Sequence, residues 1–154
     1  MKKKFLSALV AAVCFTSVSA VSIPTSVSAV TDGNLEYQLV DTNADSHYDY
    51  AVITGCDNTA TSLTIPATLG GYQVRAILDD AFSNNKVLEE FTVSDNNLYF
   101  TQAGGVLFSK DTKTLVCYPS AKKTHITYDI PSGVTNVNSY WAICGMRGIS
   151  QRTA

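Results

Sequence analysis

The spacing Asp41-x-Asn43-x-Asp45 is the pattern in this chain that comes nearest to a metal-binding loop. Alternating side-chain oxygens of this kind begin the calcium loops of EF-hand proteins. Such a loop also requires a glycine at its sixth position and a carboxylate at its twelfth, where this chain has Ser46 and Val52. We therefore interpret the segment as an Asx-rich turn and predict no metal site.

The two histidines, His47 and His125, are the candidate general bases. A Ser-His-Asp site around either of them is conceivable, because serine and aspartate are frequent. No nucleophile elbow or otherwise placed serine accompanies them, and Thr124-His125-Ile126 is typical of an exposed strand. We predict that the chain is not an enzyme, with no catalytic or cofactor-binding residues and no cofactor.

Three cysteines, Cys56, Cys117 and Cys144, follow the N-terminal leader described below. They form no C-x-x-C motif and have no histidine pair at ligand spacing, which argues against zinc. An odd number leaves at least one thiol unpaired in an exported chain. Cys56 and Cys117 lie in or beside apolar runs and are expected to be small buried residues, while the pairing among the three stays open.

Eight tyrosines and Trp141 are numerous enough to form a sugar-stacking surface. Aromatic residues at alternate strand positions more often pack against neighbouring strands. The tyrosines expected to be most exposed are Tyr37, Tyr48 and Tyr50, near the N-terminus of the mature chain. Carbohydrate binding is therefore kept as an alternative function, and the binding residues are otherwise unknown.

The first 29 residues have the three parts of a secretory signal. Three lysines at positions 2–4 precede an apolar run over residues 5–15, and small residues then lead to possible cleavage after Ala20 or Ala29. Eleven apolar residues are too few to cross a bilayer. We predict a signal peptide over residues 1–29, with cleavage after Ala20 as the alternative, and no membrane span once it is removed.

The negative net charge expected of the mature chain disfavours polyanionic partners. Removal of residues 1–29 takes away three of the eleven basic residues and none of the thirteen acidic ones, which leaves a net charge of −5. An acidic surface argues against nucleic acid and anionic membranes as partners. At this length we expect one domain that buries roughly two-thirds of its unfolded surface.

Two alternating runs, Leu35 to Val40 and Tyr48 to Thr54, predict an antiparallel hairpin, and residues 30–61 are expected to form an N-terminal cap. The phrase Ile65-Pro66-x-x-Leu69 then opens a repeat, and Ile130-Pro131-x-x-Val134 is its second copy. Stacked repeats share one core and use their outer surface for binding. We predict a solenoid segment over residues 62–137.

Within this segment, apolar runs on both sides of Ser109 to Lys113 predict an inserted hairpin over about 105–118. A short helical turn is expected near Asp79 to Ser83, ended by Asn84-Asn85. The polar run Asn84-Asn85-Lys86 is interpreted as a solvated turn. Beyond Val137 the repeat pattern fails, so residues 138–154 are expected to be an irregular tail, typical of a truncated or frame-shifted end.

These phrases resemble the BspA-like leucine-rich repeat surface proteins of bacteria, over about Leu35 to Val137. The most specific part is the series from Gly105-Val106-Leu107-Phe108 through Leu115-Val116-x-Tyr118-Pro119 to the second Ile-Pro. The resemblance implies exported or cell-surface solenoids that adhere to host proteins, other cells or polymeric substrates, and it brings no catalytic residues. This chain departs from the family in having about one and a half repeats and no C-terminal cap.

The expected fold is mainly β with short helical turns, a leucine-rich-repeat-like solenoid fragment with an N-terminal hairpin cap. The expected function is that of a non-catalytic module for cell-surface interaction or adhesion, secreted or held at the cell surface, with a protein or polysaccharide ligand outside the cell. The alternatives are a carbohydrate-binding accessory module and a non-functional remnant of a longer surface protein.

Overall fold

The computed structural model describes residues 29–122, 128–138 and 149–150, and all regular structure within them is β. The strands are β1 Val30–Asp32, β2 Leu35–Val40, β3 Tyr50–Cys56, β4 Ser62–Ile65, β5 Thr68–Leu69, β6 Tyr72–Ile77, β7 Glu90–Val93, β8 Phe100–Ala103, β9 Val106–Ser109, β10 Thr114–Cys117, β11 Tyr128–Asp129, β12 Asn136–Val137 and β13 Ile149–Ser150. The described ranges contain no helix of the length and apolar character needed to cross a membrane.

The predicted N-terminal hairpin is confirmed. β2 pairs antiparallel with β3, from Leu35 opposite Cys56 to Val40 opposite Tyr50, with a register shift after Glu36. β6 adds to β3 in parallel, and β1 and β5 complete a five-stranded sheet in the order β1-β2-β3-β6-β5. The hairpin is thus continuous with a strand of the first repeat.

The second predicted hairpin, β9–β10, is also confirmed, and it repeats the arrangement of the first. β12 pairs in parallel with β10, as β6 does with β3. The residue that follows each parallel strand also bonds to the hairpin in the same way. Leu78 N, after β6, donates to Ile53 O of β3, and Asn138 N, after β12, donates to Leu115 O of β10, both at 2.9 Å. The repetition therefore includes the hairpin that precedes each Ile-Pro phrase.

A second set of parallel strands joins successive repeats. β4 pairs with β7 from Ser62 opposite Glu90 to Ile65 opposite Val93. Leu63, Ile65 and Phe91 point into the core and are almost fully buried, in keeping with the alternation of side chains along a strand. Parallel strands joined by long connections are the expected product of stacked repeats.

The core is divided between two clusters that meet at β9. Leu107 belongs to the larger cluster, whereas its neighbours Val106 and Phe108 belong to a smaller one with Leu115 and Tyr118. Both faces of β9 are buried, which explains its continuous apolar sequence. The second repeat is less well covered than the first, since Ile65 and Leu69 are buried while Ile130 and Val134 are partly exposed.

The interpretation of Asn85 as part of a solvated turn is wrong. The residue is 1% exposed, and its side-chain amide donates to Asp57 O and Ala60 O while its Oδ1 accepts from Val87 N. Asn97 is 0% exposed and bonds the backbone of the following loop in a similar way. These amides satisfy buried backbone groups, which apolar side chains cannot do.

Two further differences concern the turns and the tail. The helical turn expected near Asp79 to Ser83 is a series of turns in which Ala81 N donates to Leu78 O and Ser83 N to Asp80 O. Ile149–Ser150, within the segment expected to be irregular, forms β13, which pairs in parallel with β11. The predicted signal peptide up to residue 28, His125, Trp141 and Cys144 lie outside the described residues.

Candidate functional site: a tyrosine–arginine surface

Two parallel strands bring a group of aromatic residues together. β3 begins at Tyr50 and β6 begins at Tyr72, and the register opposes Ala51 to Val74. Because the strands run in the same direction, the residues around their first positions lie along the same edge of the sheet. This placement brings Tyr48 and Tyr50 of one chain segment close to Tyr72 of another.

The contacts within this group are specific. The rings of Tyr48 and Tyr72 meet edge to face, with centroids 5.7 Å apart and an interplanar angle of 88°. The guanidinium carbon of Arg75 lies over the ring of Tyr50 at 5.3 Å from its centroid and over the ring of Tyr99 at 5.7 Å. These distances are within the range of cation–π attraction. We call these five residues the tyrosine–arginine surface.

Some residues of the surface are exposed to solvent, and the others pack against the core. Tyr48 is 43% exposed and Arg75 is exposed, while Tyr50, Tyr72 and Tyr99 are partly buried against the larger core cluster. The partly buried rings are held in place by the core, so little side-chain freedom remains to be lost on binding. Leu98, beside Tyr99, is 61% exposed and extends the apolar character of this region along the chain.

Of the three tyrosines predicted to be most exposed, the structure confirms only Tyr48 as exposed. Tyr48 is exposed as predicted, Tyr50 is partly buried, and Tyr37 is only 6% exposed. Tyr37 lies two positions after the buried Leu35, so strand alternation places both on the core side, where Tyr37 is opposite Ile53. Sequence reasoning did not identify Tyr72, Arg75 and Tyr99 as binding residues, because strand pairing and not sequence spacing brings them to Tyr48 and Tyr50.

The Asp49 carboxylate, which is influenced by the charge of Arg75, forms its hydrogen bonds with Thr42. Asp49 accepts hydrogen bonds on Oδ2 from Thr42 Oγ1 at 2.5 Å and Thr42 N at 2.7 Å. The Thr42 hydroxyl, then the Thr42 amide, and to a smaller extent the charge of Arg75 lower the pKa of the Asp49 carboxyl. Arg75 is an exposed residue, and within the described residues it forms no ion pair and no hydrogen bond.

In the loop considered as a possible calcium site, the Asp41 carboxylate accepts hydrogen bonds from backbone amides of the same loop. Asp41 Oδ1 accepts from Asn43 N and Ala44 N, and Asp41 Oδ2 accepts from Ser46 N. Ala44 and Ser46 have positive φ angles, which this network of hydrogen bonds supports. These contacts are those of an Asx-rich turn, the interpretation that the sequence favoured. In the ranges that the structure covers, no group of three or more metal-ligating side chains was found.

His47 lies on the same loop, and Asp45, two positions before it, supplies its side-chain contacts. Its side chain is 87% exposed and its Nδ1 is 3.5 Å from Asp45 Oδ1. Nδ1 also lies 3.2 Å from the backbone oxygen of Asp45, so the contact is local. The observed role of His47 is to complete the turn.

Cys56 is buried, and Cys117 packs against the larger core cluster in which Cys56 lies. Both thiols are free. Burial raises the pKa of the Cys117 thiol to about 12 and also raises the pKa of Cys56. Raised pKa values leave little reactive thiolate at neutral pH, and Cys56 is buried as predicted while Cys117 is partly exposed.

With this geometry established, comparison with known proteins identifies the fold. No protein-family model matches the chain, and no curated protein matches it. A leucine-rich repeat protein from Eubacterium ventriosum is similar in structure, with a TM-score of 0.51 and 30% sequence identity over 59% of this chain and 23% of that protein. The chain has a leucine-rich-repeat-like fold.

The pneumococcal vaccine antigen PcpA is a second similar structure, with 31% identity over 53% of this chain and 18% of PcpA, and a TM-score of 0.45. The leucine-rich-repeat-like chain therefore spans less than a quarter of the length of either solved protein. The similarity to the Eubacterium ventriosum protein agrees with the fold expected from the repeated Ile-Pro phrases. The narrower resemblance to BspA-like proteins stays a prediction.

Proposed function

We propose that this chain is an exported, non-catalytic leucine-rich repeat module that binds a ligand outside the cell through its tyrosine–arginine surface. The observations that carry this proposal are two sets of contacts between exposed or partly exposed side chains, Tyr48 with Tyr72 and Arg75 with Tyr50 and Tyr99. Tyrosine and arginine are the residue types most enriched where proteins bind partners. The fold supports the proposal, because repeat proteins bind along their outer surfaces.

The proposal of export rests on the sequence of residues 1–29, and secretion is its direct test. The chain would be expressed with its own leader in a bacterial host, and the N-terminus of the released protein would be sequenced. We expect mature protein that begins at Val30, or at Val21 if cleavage follows Ala20. Retention of the uncleaved chain inside the cell would contradict export.

The binding role is tested with the secreted chain on surfaces coated with fibronectin, collagen or arabinoxylan. We expect saturable binding to one of these polymers, weakened by the combined variant Tyr48→Ala/Arg75→Gln. Val87→Ala is the matched control, because Val87 is similarly exposed at 42% but lies outside the tyrosine–arginine surface. Absence of binding to all three polymers would contradict an adhesive role and favour the remnant hypothesis.

Carbohydrate binding is the second candidate function, and the exposed ring of Tyr48 favours it. Aromatic rings at a surface pack against the C–H faces of sugars, and their hydroxyl groups bond to sugar hydroxyls. In the same assay, binding to arabinoxylan without binding to fibronectin or collagen would favour this candidate. The reverse pattern would favour a protein ligand.

A further inference from the structure

Asp32 and Gly33 lie where β1 turns into β2, and Asp32 is the only aspartate of the chain that is followed by glycine. Asp32 pairs with Leu35 at the end of the two strands, so Gly33 and Asn34 form the whole of the connecting loop. Gly33 has a φ of +59°, and a Cβ built on it meets no atom within 4 Å. The space around the Gly33 backbone is therefore open.

The Asp32 carboxyl group and the Gly33 amide are not restrained by hydrogen bonds. All three residues of β1 are exposed, and neither group has a hydrogen-bond partner within the described residues. Asp57, which also lies in a turn, differs in this respect, because its Oδ1 accepts from both the amide and the hydroxyl of Thr59. Asp32 thus combines a glycine neighbour with a carboxyl group that no bond holds.

We propose that Asp32-Gly33 is a modification site at which Asp32 converts spontaneously to isoaspartate in the folded protein. Gly33 N attacks Cγ of the protonated Asp32 carboxyl group. An N–Cγ bond forms, and the hydroxyl group of the carboxyl leaves as water with the proton of Gly33 N. Water then breaks the bond between Gly33 N and the main-chain carbonyl carbon of Asp32, which leaves the chain connected through Cγ. One water is released and one is consumed, so the reaction needs no oxidant and the mass is unchanged.

The position of this turn favours the reaction in two ways. Glycine has no side chain to obstruct the approach of its nitrogen to Cγ, and it adopts a wider range of backbone angles than other residues. β1 is the outermost strand of its sheet and pairs with β2 alone, over three residue pairs. Only this short ladder has to open for Asp32 to reach the geometry of ring closure, and short exposed edges open at low cost in free energy.

Conversion of Asp32 changes the edge of the five-stranded sheet. The isoaspartyl link adds one carbon atom to the main chain, so the pairs Asp32 with Leu35 and Thr31 with Glu36 cannot keep their register. β1 contains no buried residue, and its release leaves the core in place. β2 then becomes the edge strand, with backbone groups open to solvent or to another strand. This effect is independent of ligand binding.

The test follows isoaspartate in the purified full chain and in Asn58→Gly during prolonged incubation in mildly acidic buffer. Asn58→Gly is the matched control, because it places glycine after Asp57, whose carboxyl accepts two hydrogen bonds from Thr59. Peptide mapping with endoproteinase Asp-N, which does not cleave before isoaspartate, measures each site. We expect isoaspartate to form at Asp32 at least about tenfold faster than at Asp57 of the variant. Thermal unfolding before incubation checks that the variant is folded.

Conversion of Asp32 in urea but not in the folded chain would overturn the inference, because it would show that the β1–β2 pairing keeps Gly33 N away from Cγ. Equal rates at Asp32 and at Asp57 of the variant would overturn the assigned cause, the unrestrained carboxyl group. Absence of isoaspartate at Asp32 under both conditions would also contradict the proposal.

Hydrogen exchange checks the structural consequence. In the converted protein the β2 amides that face β1 should lose protection, whereas the β3 amides, in the interior of the sheet, should keep theirs. Asp32→Glu keeps the charge but cannot form the five-membered ring, so its β2 amides should stay protected after the same incubation. Unchanged protection of β2 in the converted protein would contradict the release of β1.

Discussion

The side-chain amide of Asn85 donates to the backbone carbonyl of Asp57 across 2.9 Å, linking the first repeat to the end of the N-terminal hairpin. The backbone carbonyl of Asn85 accepts from Ser120 Oγ at 2.8 Å, which links the same residue to the segment after the second hairpin. Asn85 therefore connects three successive layers. Each layer depends on its neighbours in a solenoid, so this residue contributes to the cohesion of the whole described chain.

Replacing Asn85 tests this role. Asn85→Ala leaves the carbonyl groups of Asp57 and Ala60 and the amide of Val87 without these partly buried hydrogen bonds. We expect a loss of about 3 kcal/mol in the free energy of unfolding, from the cost of unsatisfied buried polar groups. The measurement is urea denaturation followed by tyrosine fluorescence or circular dichroism. Asn84→Ala is the control at an exposed neighbour and should change stability by less than about 0.5 kcal/mol. Equal effects of the two substitutions would refute the role of Asn85.

Gly70 illustrates a second constraint on the first repeat. It has φ +58°, and a Cβ built on it would lie 2.9 Å from the hydroxyl oxygen of the buried Tyr37. Gly33 has nearly the same φ, +59°, but a Cβ there meets no atom within 4 Å. Gly33→Ala should therefore cost about 1 kcal/mol from the left-handed backbone alone. Gly70→Ala should cost about 2 kcal/mol or more, because steric overlap adds to the same strain.

The contribution of the Tyr37 hydroxyl is measured with a double-mutant cycle. In a Tyr37→Phe background the excess cost of Gly70→Ala over Gly33→Ala should become smaller. Thermal unfolding is measured for the native chain, Gly33→Ala and Gly70→Ala, each with and without Tyr37→Phe. The differences in stability among these proteins give the excess cost in each background. An excess that is the same in both backgrounds would mean that the hydroxyl group is not the source of the steric conflict.

The features that sequence predicts well are those with a local signal. Alternation of apolar residues locates the two hairpins, and the repeated Ile-Pro phrase locates the stacked strands. Asn85 was misjudged because its environment is made by other parts of the chain, whereas the burial of Tyr37 follows from its alternation with the buried Leu35. The Asn85 side chain donates to residues 25 and 28 positions away, whereas Tyr37 lies on the same side of its strand as Leu35.

The same reasoning explains why the candidate site was found only in part. Tyr48 and Tyr50 lie in the predicted hairpin, so the neighbouring sequence is enough to suggest that they are exposed. Arg75 is 25 positions from Tyr50 and 24 from Tyr99, and only the stacking of repeats brings the three together. A polar residue flanked by strand residues gives no sequence signal of its own for such contacts.

Burial of Cys117 predicts a loss of stability in alkaline solution. Its thiol pKa is raised from 9.0 to about 12 by desolvation, so the folded chain keeps this proton where the unfolded chain releases it. The stabilising difference is therefore complete below pH 9 and is lost as the pH rises from 9 to about 12. Over that window the free energy of unfolding should fall by up to about 1.4 kcal/mol per pH unit from this group.

The check is urea denaturation at several pH values for the native chain and for Cys117→Ala. The substitution removes the titrating group, so the fall in stability above pH 9 should become shallower. Cys56, whose pKa burial also raises, remains in the variant and retains part of the slope. Identical slopes for the two proteins would show that ionisation of Cys117 is not linked to unfolding.

The Thr42 hydroxyl should control the ionisation of Asp49 beside the tyrosine–arginine surface. Its bond to Asp49 is the largest cause of the lowered pKa of that carboxyl. Thr42→Val removes this bond but leaves the backbone bond, so the pKa of Asp49 should rise towards its ordinary value of 3.8. Because the folded-state pKa is lowered, the associated stabilisation is present above pH 3.8 and is lost as the pH falls below it.

Thr59→Val is a matched control for this prediction. Asp57 accepts from both the amide and the hydroxyl of Thr59, but there the backbone bond is the larger cause of the lowered pKa. Carboxyl resonances followed by nuclear magnetic resonance from pH 2 to 6 would give both pKa values. The pKa of Asp49 should rise more in Thr42→Val than the pKa of Asp57 rises in Thr59→Val. The opposite order would mean that backbone donors, and not the threonine hydroxyl, keep Asp49 charged beside Arg75.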